Sequence, residues 1–185
     1  AGAVAARYKS LVRYYTPYNE PVLSAEWSGF RGEWPPYLHG DDGYMKVLLS
    51  VTKGIALTVQ ALKAEQPDAI TVQVEALRRF WTNPLALLSL VARINEQQYL
   101  SWDLTTGRVN EQHPLYEFIR DLGVNDLDLA WYRRNAVNFD IFGVNFYPWG
   151  YGELAMSKHG HLYRIPQRVN GAVIGEVIQE VYQRY

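Results

Sequence analysis

Residues 12–21 read Val-Arg-Tyr-Tyr-Thr-Pro-Tyr-Asn-Glu-Pro, and this stretch decides the fold more than any other part of the chain. Its aromatic and β-branched residues predict a strand over residues 12–20, which Pro21 ends because proline has no amide hydrogen to donate. Asn19 and Glu20 therefore stand at the carboxyl end of a strand. Parallel barrels carry their catalytic groups at that end of their strands, so the stretch predicts a general acid at the rim of a barrel.

The net charge of the chain is close to neutral, with 18 basic and 19 acidic side chains among 185 residues. This balance, with no block of like charges, argues against a nucleic acid or an acidic membrane surface as the partner. The length suffices for a single domain with a sizeable core. No cysteine is present, which excludes thiolate nucleophiles, disulfides and cysteine-bound metal and fits a cytoplasmic location. No apolar run reaches the roughly 18 residues that a membrane-spanning helix needs.

Two later segments also have the pattern of strands. Residues 70–76 alternate apolar and polar side chains. We expect the apolar set to face the helices of the fold and the polar set to face the interior of a barrel, with Glu75 nearest the rim. Residues 139–147 are apolar at both parities, which is typical of a strand buried on both faces. Asn145 and Tyr147 share one parity and lie at the end of this strand.

Apolar residues at steps of three and four predict a helix over residues 44–66. Residues 22–42 and 151–164 are expected to be loops. Alternating helices and strands imply parallel strands joined by right-handed crossovers, an α/β arrangement in which three strands leave two open edges. Further helices are predicted over residues 3–10, 84–97, 115–122, 127–137 and 169–185.

Several segments resemble parts of a known family. Residues 4–21 resemble the helix–strand unit of glycoside hydrolase family 1, the β-glucosidase-like family, in which the fourth strand ends in Thr-x-Asn-Glu-Pro. Residues 140–147, Asp-Ile-Phe-Gly-Val-Asn-Phe-Tyr, resemble the family's sixth-strand signature Asp-Phe-x-Gly-x-Asn-Tyr-Tyr. Residues 25–32 are similar to its glycine-containing loop after the first motif, and residues 165–185 are similar to its sixth helix.

The resemblance implies a (β/α)8 TIM barrel. Residues 1–185 would form a single partial domain of about three βα units, from the end of helix three through helix six, with no separate second domain. The chain opens without Met, in residues that look like the middle of a helix, and we expect it to begin inside a larger fold. The family's nucleophile is a glutamate in a Thr-Glu-Asn-Gly-like motif on strand seven, which we expect directly after Tyr185.

By the same resemblance the protein is a retaining β-glycosidase, which would hydrolyse a β-glucoside or β-galactoside by double displacement and without a cofactor. Glu20 would be the acid/base. Asn19 would bind the 2-hydroxyl group of the sugar, Tyr147 would hydrogen-bond the nucleophile, and Asn145 would be a second inward polar group. Each residue has a plain alternative: Glu20 as a surface carboxylate, Asn19 as the cap of a turn, and Tyr147 as a packed aromatic residue.

Two more residues are expected in the substrate pocket. Glu75 stands where the family more often has an asparagine, and we expect it to line the pocket. The alternative, that Glu75 is the nucleophile, has no motif to support it. Trp27 lies in the loop after the first motif, where its ring could stack on a sugar or pack within the loop. The same two alternatives apply to Trp34 and Trp149.

Other hypotheses stay open. Residues 103–108 follow the family's Asp-Pro…Gly-Arg-Tyr-Pro segment only loosely, so the protein could be a non-catalytic sugar-binding relative or an inactive fragment of such a barrel. His159 and His161 could bind a metal, but no third ligand is near, so a solvated loop without metal is the preferred interpretation. We expect a carbohydrate as the small-molecule partner. We also expect the remainder of the barrel, or a second copy of the chain, to cover the open strand edges.

Overall fold

The computed structural model describes all 185 residues and holds eight α-helices and four β-strands. A π-helix over Glu26–Phe30 and a 3-10 turn over Leu85–Leu87 complete the regular structure. The strands are β1 (Tyr14–Tyr15), β2 (Ile70–Trp81), β3 (Ile141–Met156) and β4 (Leu162–Pro166). The helices are α1 (Gly2–Tyr8), α2 (Pro21–Ala25), α3 (Gly40–Glu65), α4 (Leu88–Gln97), α5 (Leu100–Thr105), α6 (Tyr116–Asp121), α7 (Asp126–Arg134) and α8 (Gly171–Arg184).

The chain consists of two compact units. The first comprises Ala1–Glu75 and Tyr99–Gly143, and the second comprises Ala76–Gln98 and Val144–Tyr185. Strands β2 and β3 contribute residues to each unit, because their ranges cross the boundaries between the units. Most helices belong to the first unit, whereas α4, α8 and β4 belong to the second.

The sheet has four strands rather than the three that the sequence predicts, in the order β1-β2-β3-β4. Strands β1 and β2 are parallel, as predicted. Strand β4 begins in the segment predicted as a loop, residues 151–164, and it pairs antiparallel with the end of β3. The turn between them contains Gly160 at φ 78°, a left-handed conformation that glycine adopts without cost. The amides of His159 and His161 donate to the hydroxyl of Ser157 in this turn, so the two histidines belong to a hairpin.

Strand β1 is shorter than the strand predicted over residues 12–20, because the pairing with β2 is interrupted. Tyr15 pairs with Thr71, and the next pairing joins Asn19 to Val74. The first strand therefore carries one extra residue between the two pairings, around Pro17, which cannot donate to a neighbouring strand. Such a bulge changes the direction of the chain before the Asn-Glu pair.

Helix α3 confirms the helix predicted over residues 44–66, although it begins at Gly40. Its side chains Leu48, Ile55 and Val59 are buried in the cores of the first unit. By length and composition α3 could cross a membrane, but the core helix of a globular protein passes the same test. The buried side chains fit that second description.

The loop predicted over residues 22–42 is wrong for its first part, which forms α2 and the π-helix. Gly29 and Gly43 explain why this segment packs closely on the start of α3. A Cβ atom added at Gly29 would overlap the carbonyl oxygen of Gly43, and one added at Gly43 would overlap the carbonyl oxygen of Gly29. The two backbones touch because neither residue has a side chain.

Strand β2 buries its polar side chains more deeply than the apolar ones that alternate with them. The polar residues Thr71, Gln73 and Glu75 are almost completely buried, whereas the apolar residues that alternate with them are only half-buried. The burial is tolerated because most of these polar groups have partners: the hydroxyl of Thr71 donates to Asp140, and the amide nitrogen of Gln73 donates to the carbonyl of Tyr18, although the side-chain oxygen of Gln73 has no partner. In this strand the hydrogen-bonded polar side chains are therefore buried more deeply than the apolar ones, although hydrophobicity alone would favour the opposite.

The second unit has a smaller core, formed by Leu87, Val91 and Leu154. Helix α8 confirms the helix predicted over residues 169–185. The side chain of Asn170 caps it by accepting hydrogen bonds from the first free backbone amides of the helix. The buried side of α8 is formed by Val173, Val177 and Val181.

Candidate functional site

The backbone of Glu20 has a left-handed conformation, with φ 53° and ψ 59°. For a residue with a side chain this conformation costs on the order of 1 kcal/mol. Such residues cluster at active sites, where the surrounding structure holds them in place. Two hydrogen bonds do so here: the amide of Glu20 donates to the carbonyl of Val74 at 3.1 Å, and its carbonyl accepts from the amide of Ser24 at 2.9 Å. Glu20 therefore links the end of a parallel strand pairing to the first turn of α2.

Glu20 is 8% exposed, so its side chain is nearly buried. Its neighbour Asn19 is exposed. Aligned residues of neighbouring parallel strands project to the same face of a sheet, so Asn19 lies on the face of Val74 and opposite to the face of Glu75. The sequence prediction that Asn19 and Glu20 stand at the end of a parallel strand pairing is confirmed.

Glu75 does not line a pocket, and this sequence prediction is wrong. Its side chain has no exposed surface. One carboxylate oxygen, Oε2, accepts a hydrogen bond from the backbone amide of Val22 at 3.1 Å and another from the hydroxyl of Ser101 at 2.9 Å. Glu75 therefore faces α5 and the first turn of α2.

Trp27 lies in the π-helix and is half-buried. Its ring centroid is 4.8 Å from that of Trp34, at an angle of 42° between the rings. The guanidinium group of Arg31, which also pairs with Glu26, lies 5.6 Å from the centre of the Trp27 ring. Trp27 thus packs within its own segment, whereas Trp34 is 46% exposed. Single turns of π-helix are frequent at functional sites.

Asn145 and Tyr147 belong to the second unit, on β3. Asn145 is half-buried and Tyr147 is exposed. The Tyr147 ring stacks on Trp149 with 5.3 Å between centroids and 10° between the ring planes. The guanidinium group of Arg78 lies 5.5 Å from the centre of the Trp149 ring. Trp149, which the sequence places in a loop, is thus part of a strand and of a stacked cluster.

Asp140, the first residue of the second signature, holds the beginning of β3 to β2. Its Oδ2 atom accepts from the amide of Thr71 at 2.8 Å, from the Thr71 hydroxyl at 2.9 Å and from Lys63 at 3.1 Å. The hydrogen bond from the Thr71 amide, aided by Lys63, lowers the pKa of Asp140 below its ordinary value of 3.8, although partial burial opposes this effect. The role of this carboxylate is structural.

The loosely matching segment at residues 103–108 also has a structural role. Asp103 is buried, and its carboxylate lies 3.1 Å from Nε2 of His113. The Nδ1 atom of His113 accepts a hydrogen bond from the amide of Leu115 at 3.1 Å. In a neutral imidazole Nε2 then carries the proton and donates to Asp103. This pair fixes the segment that follows α5.

Sequence reasoning missed Ser101 and helix α5. The six residues of α5 are all buried, so they show no alternation between an apolar and a polar face. Such alternation is the main signal of a helix in a sequence. A depression of about 330 Å³ also occurs in the first unit, and none of the predicted site residues lines it. Its lining residues are Asn110, Glu111, Gln112, Tyr116, Asp126, Leu129 and Arg133.

These features define a class of fold: a mixed α/β chain that matches part of a TIM-barrel enzyme, with an Asn-Glu pair where a parallel strand ends. The solved structures that it resembles include family 1 β-glucosidase from Thermotoga maritima. One such structure has a TM-score of 0.72 and 13% sequence identity, and the match covers 91% of this chain and 38% of that one.

Two complexes of the same enzyme match as well. With isofagomine lactam the TM-score is 0.74 at 13% identity, over 94% of this chain and 39% of the enzyme. With methoxycarbonyl-substituted glucoimidazole it is 0.78 at 13% identity, over 100% of this chain and 43% of the enzyme. No family model and no curated protein matches the sequence.

The chain thus spans about two-fifths of the length of these enzymes. At 13% identity the likeness shows the fold alone. It confirms the predicted partial barrel at the level of a mixed α/β fold, and the structural neighbours are glycoside hydrolases.

Proposed function

We propose that the protein containing this chain is a retaining β-glycosidase of the family 1 type, in which Glu20 is the general acid/base. The observation that carries the proposal is the position of Glu20. It is held in a left-handed turn where a parallel strand pairing ends, in a fold that matches β-glucosidases. The carboxyl ends of barrel strands are where enzymes of this architecture place catalytic groups.

The mechanism needs two carboxyl groups about 5 Å apart. In the first step Glu20 donates a proton to the glycosidic oxygen while a second glutamate attacks the anomeric carbon and forms a glycosyl-enzyme. In the second step Glu20 removes a proton from the water that releases the sugar. Because the chain spans only about two-fifths of the β-glucosidases that it matches, we propose that the second glutamate lies outside it. The reaction needs no cofactor, because both steps move only protons and a glycosyl group.

The other site residues are proposed from their positions. Asn19, exposed beside Glu20, would bind the 2-hydroxyl group of the sugar, a contact that strengthens in the transition state. Tyr147 would hydrogen-bond the nucleophile, with Asn145 as a supporting polar group on the same strand. Trp27 and the more exposed Trp34 would offer aromatic surface to the substrate.

The carbohydrate is the proposed small-molecule partner, and the rest of a barrel is the proposed macromolecular one. In the first unit Leu11 and Tyr14 are 82% and 62% exposed, and in the second unit Ile178 and Tyr182 are 52% and 85% exposed. Exposed apolar side chains in each unit, and the open edge of β1 in the first unit, favour a covering partner. We also propose a cytoplasmic location, because the chain has no cysteine.

A second candidate function is sugar binding without turnover. The stack of Tyr147, Trp149 and Arg78 favours it, because Tyr147 is then an aromatic binding surface rather than a partner of a nucleophile. The two candidates differ in one respect: only the enzyme requires Glu20 to transfer a proton.

Two aryl β-glucosides test this requirement in the protein that contains the chain. Dinitrophenolate leaves without a proton, whereas phenolate needs one from the acid. We expect Glu20→Ala to lower kcat/KM, which reports the step that breaks the glycosidic bond, by roughly 100-fold or more for the phenyl glucoside and much less for the dinitrophenyl glucoside.

Glu33→Gln is the matched control, because Glu33 is a half-exposed carboxylate in the same part of the chain. It should leave both rates unchanged. Equal losses of kcat/KM for the two glucosides in the Glu20→Ala variant, or full activity with both, would refute the acid/base role. Binding of a sugar without any turnover in the unaltered protein would support the second candidate instead.

A further inference from the structure

We propose that Glu75 is a positioning residue for Glu20. From the neighbouring strand it caps helix α2 and thereby holds the turn that presents the acid/base. The inference rests on the proposed function for its catalytic consequence, but its structural part depends only on contacts within the first unit.

Helix α2 needs a cap from outside. It begins at Pro21, directly after Glu20, and the Glu20 side chain makes no capping hydrogen bond. The first amides of a helix have no partner within the helix, and Pro21 has no amide hydrogen, so the first donor to be satisfied is the amide of Val22. Glu75 accepts this hydrogen bond at 3.1 Å. A carboxylate at this position also interacts favourably with the positive end of the helix dipole.

Capping of α2 by Glu75 affects Glu20, the proposed acid/base, because the residue in the position of Glu20 is the one that ordinarily caps a helix. In helices with a side-chain cap, such as α7 and α8 here, the residue before the first turn accepts hydrogen bonds on its own side chain from the second or third amide. Here that residue is Glu20, and a carboxylate used in this way would be turned back onto its own helix. Glu75 occupies the Val22 amide instead. Glu75 thus caps α2, and the side chain of Glu20, which the reaction needs, is not used as the cap.

Strand β2 holds the turn at two successive residues. The carbonyl of Val74 accepts from the amide of Glu20 at 3.1 Å, and the side chain of Glu75 accepts from the amide of Val22 at 3.1 Å. These two contacts bracket the left-handed residue and Pro21. A shift of this turn would move Glu20 relative to a bound substrate, and misplacement by about 1 Å costs catalysis roughly 100-fold.

Glu75 is itself fixed. It is completely buried, and the hydroxyl of Ser101 donates to the same oxygen atom at 2.9 Å. A buried carboxylate is stable only when donors surround it. Ser101 lies on α5, whose residues are all buried, so the hydroxyl cannot move away without disturbing the core. Ser101 therefore orients Glu75, and Glu75 holds the amide of Val22 and with it the turn that carries Glu20.

Three variants test the support: Glu75→Ala removes the acceptor, Glu75→Gln keeps the shape and one oxygen, and Ser101→Ala removes the donor that orients it. Thr105→Val is the matched control. Thr105 is also buried on α5, but its hydroxyl donates only to the backbone carbonyls of Ser101 and Trp102.

The measurement is the ratio of kcat/KM for phenyl and dinitrophenyl β-glucosides in the protein that contains the chain. We expect Glu75→Ala to lower kcat/KM for the phenyl glucoside about 10- to 100-fold more than for the dinitrophenyl glucoside. Ser101→Ala should have a smaller effect of the same kind, and Glu75→Gln should restore most of the ratio. A merely structural role lowers the amount of folded enzyme, which reduces both rates by one factor and leaves the ratio unchanged.

A second measurement needs no activity. Hydrogen exchange at the Val22 amide, followed by NMR, should accelerate in Glu75→Ala and Ser101→Ala relative to amides of α3, and should not change in Thr105→Val. If Glu75→Ala does not fold, the exchange rate at Val22 is compared between Ser101→Ala and its control Thr105→Val.

The outcomes separate the two proposals. If Glu20→Ala changes the ratio of rates but the Glu75 and Ser101 variants do not, the positioning role is overturned and the acid/base role stands. If Glu20→Ala leaves the ratio unchanged, the proposed function fails and the catalytic consequence of Glu75 falls with it. An unchanged exchange rate at Val22 in Glu75→Ala overturns the cap itself.

Discussion

The backbone amide of Glu20 donates to the carbonyl of Val74 at 3.1 Å, one residue after Asn19 pairs with Val74 in parallel register. The parallel pairing therefore continues up to the left-handed residue and ends there. Because the turn is anchored to a neighbouring strand, Glu20 can keep a conformation that is unfavourable for a residue with a side chain. The left-handed backbone conformation of Glu20 can therefore be tested separately from catalytic activity.

A glycine at position 20 should stabilise the fold relative to an alanine there. Glycine adopts the left-handed region without steric cost, so Glu20→Gly should be more stable than Glu20→Ala by about 1 kcal/mol. Both variants lack the carboxyl group and should lose acid catalysis alike. Urea unfolding of the two variants, followed by circular dichroism, measures the difference.

Lys9 supplies the control for this comparison, because it has an ordinary right-handed backbone with φ −55° at the end of α1. Lys9→Gly should be less stable than Lys9→Ala, since glycine loses more conformational freedom on folding. An order of stability at position 20 that matches the order at position 9 would show that Glu20 does not occupy the left-handed region in solution.

Sequence patterns were sufficient for the long elements. The periodic apolar residues of α3 and α8 predict both helices, and the aromatic run before Pro21 predicts that Glu20 follows a strand. The two helix signals are strong because each one spans several turns and buries one continuous face.

The parts that could not be predicted depend on contacts between distant residues. Glu75 looks like a pocket residue because polar side chains in barrels often face inward, but it is completely buried, and the hydroxyl of Ser101 and the amide of Val22 donate to it. The segment after Pro21 looks like a loop because its helices are too short for a periodic pattern. Its close packing depends on Gly29 meeting Gly43, a contact that no local pattern reveals.

Asp140 should make the stability of the fold depend on pH. Hydrogen bonds from Thr71 and an ion pair with Lys63 lower its pKa in the folded state below the ordinary value of 3.8. A carboxyl group with a lowered pKa stabilises the fold fully above its unfolded value, and this contribution is lost as the pH falls through the folded value. Asp140→Asn should therefore be less stable than the unaltered protein at pH 7, and the difference should shrink below about pH 3.8.

Urea unfolding at several pH values checks this expectation. Asp68→Asn serves as the control, because Asp68 is exposed in the turn before β2 and should show little difference at any pH. A difference between Asp140→Asn and the unaltered protein that persists undiminished at low pH would mean that Asp140 contributes through its shape and not through its charge.

Gly43 and Gly54 both lie on α3, and replacing each with alanine should change stability in opposite directions. Gly54 is exposed and nothing lies within 4 Å of the position that a Cβ atom would take. Alanine favours a helix over glycine, so Gly54→Ala should stabilise the protein by about 0.5–1 kcal/mol. At Gly43 the new methyl group would meet the backbone carbonyl of Gly29, and Gly43→Ala should destabilise it by about 1–3 kcal/mol.

The same pair of variants links packing to function. The contact between Gly29 and Gly43 holds the π-helix on α3, and the π-helix continues directly from α2, which follows Glu20. Gly43→Ala should therefore also lower kcat for the phenyl glucoside, whereas Gly54→Ala should leave it unchanged. Equal stability of the two variants in urea unfolding would show that the close approach of the two glycines is absent in solution, because a methyl group placed against a backbone oxygen cannot be accommodated without moving one of the two segments.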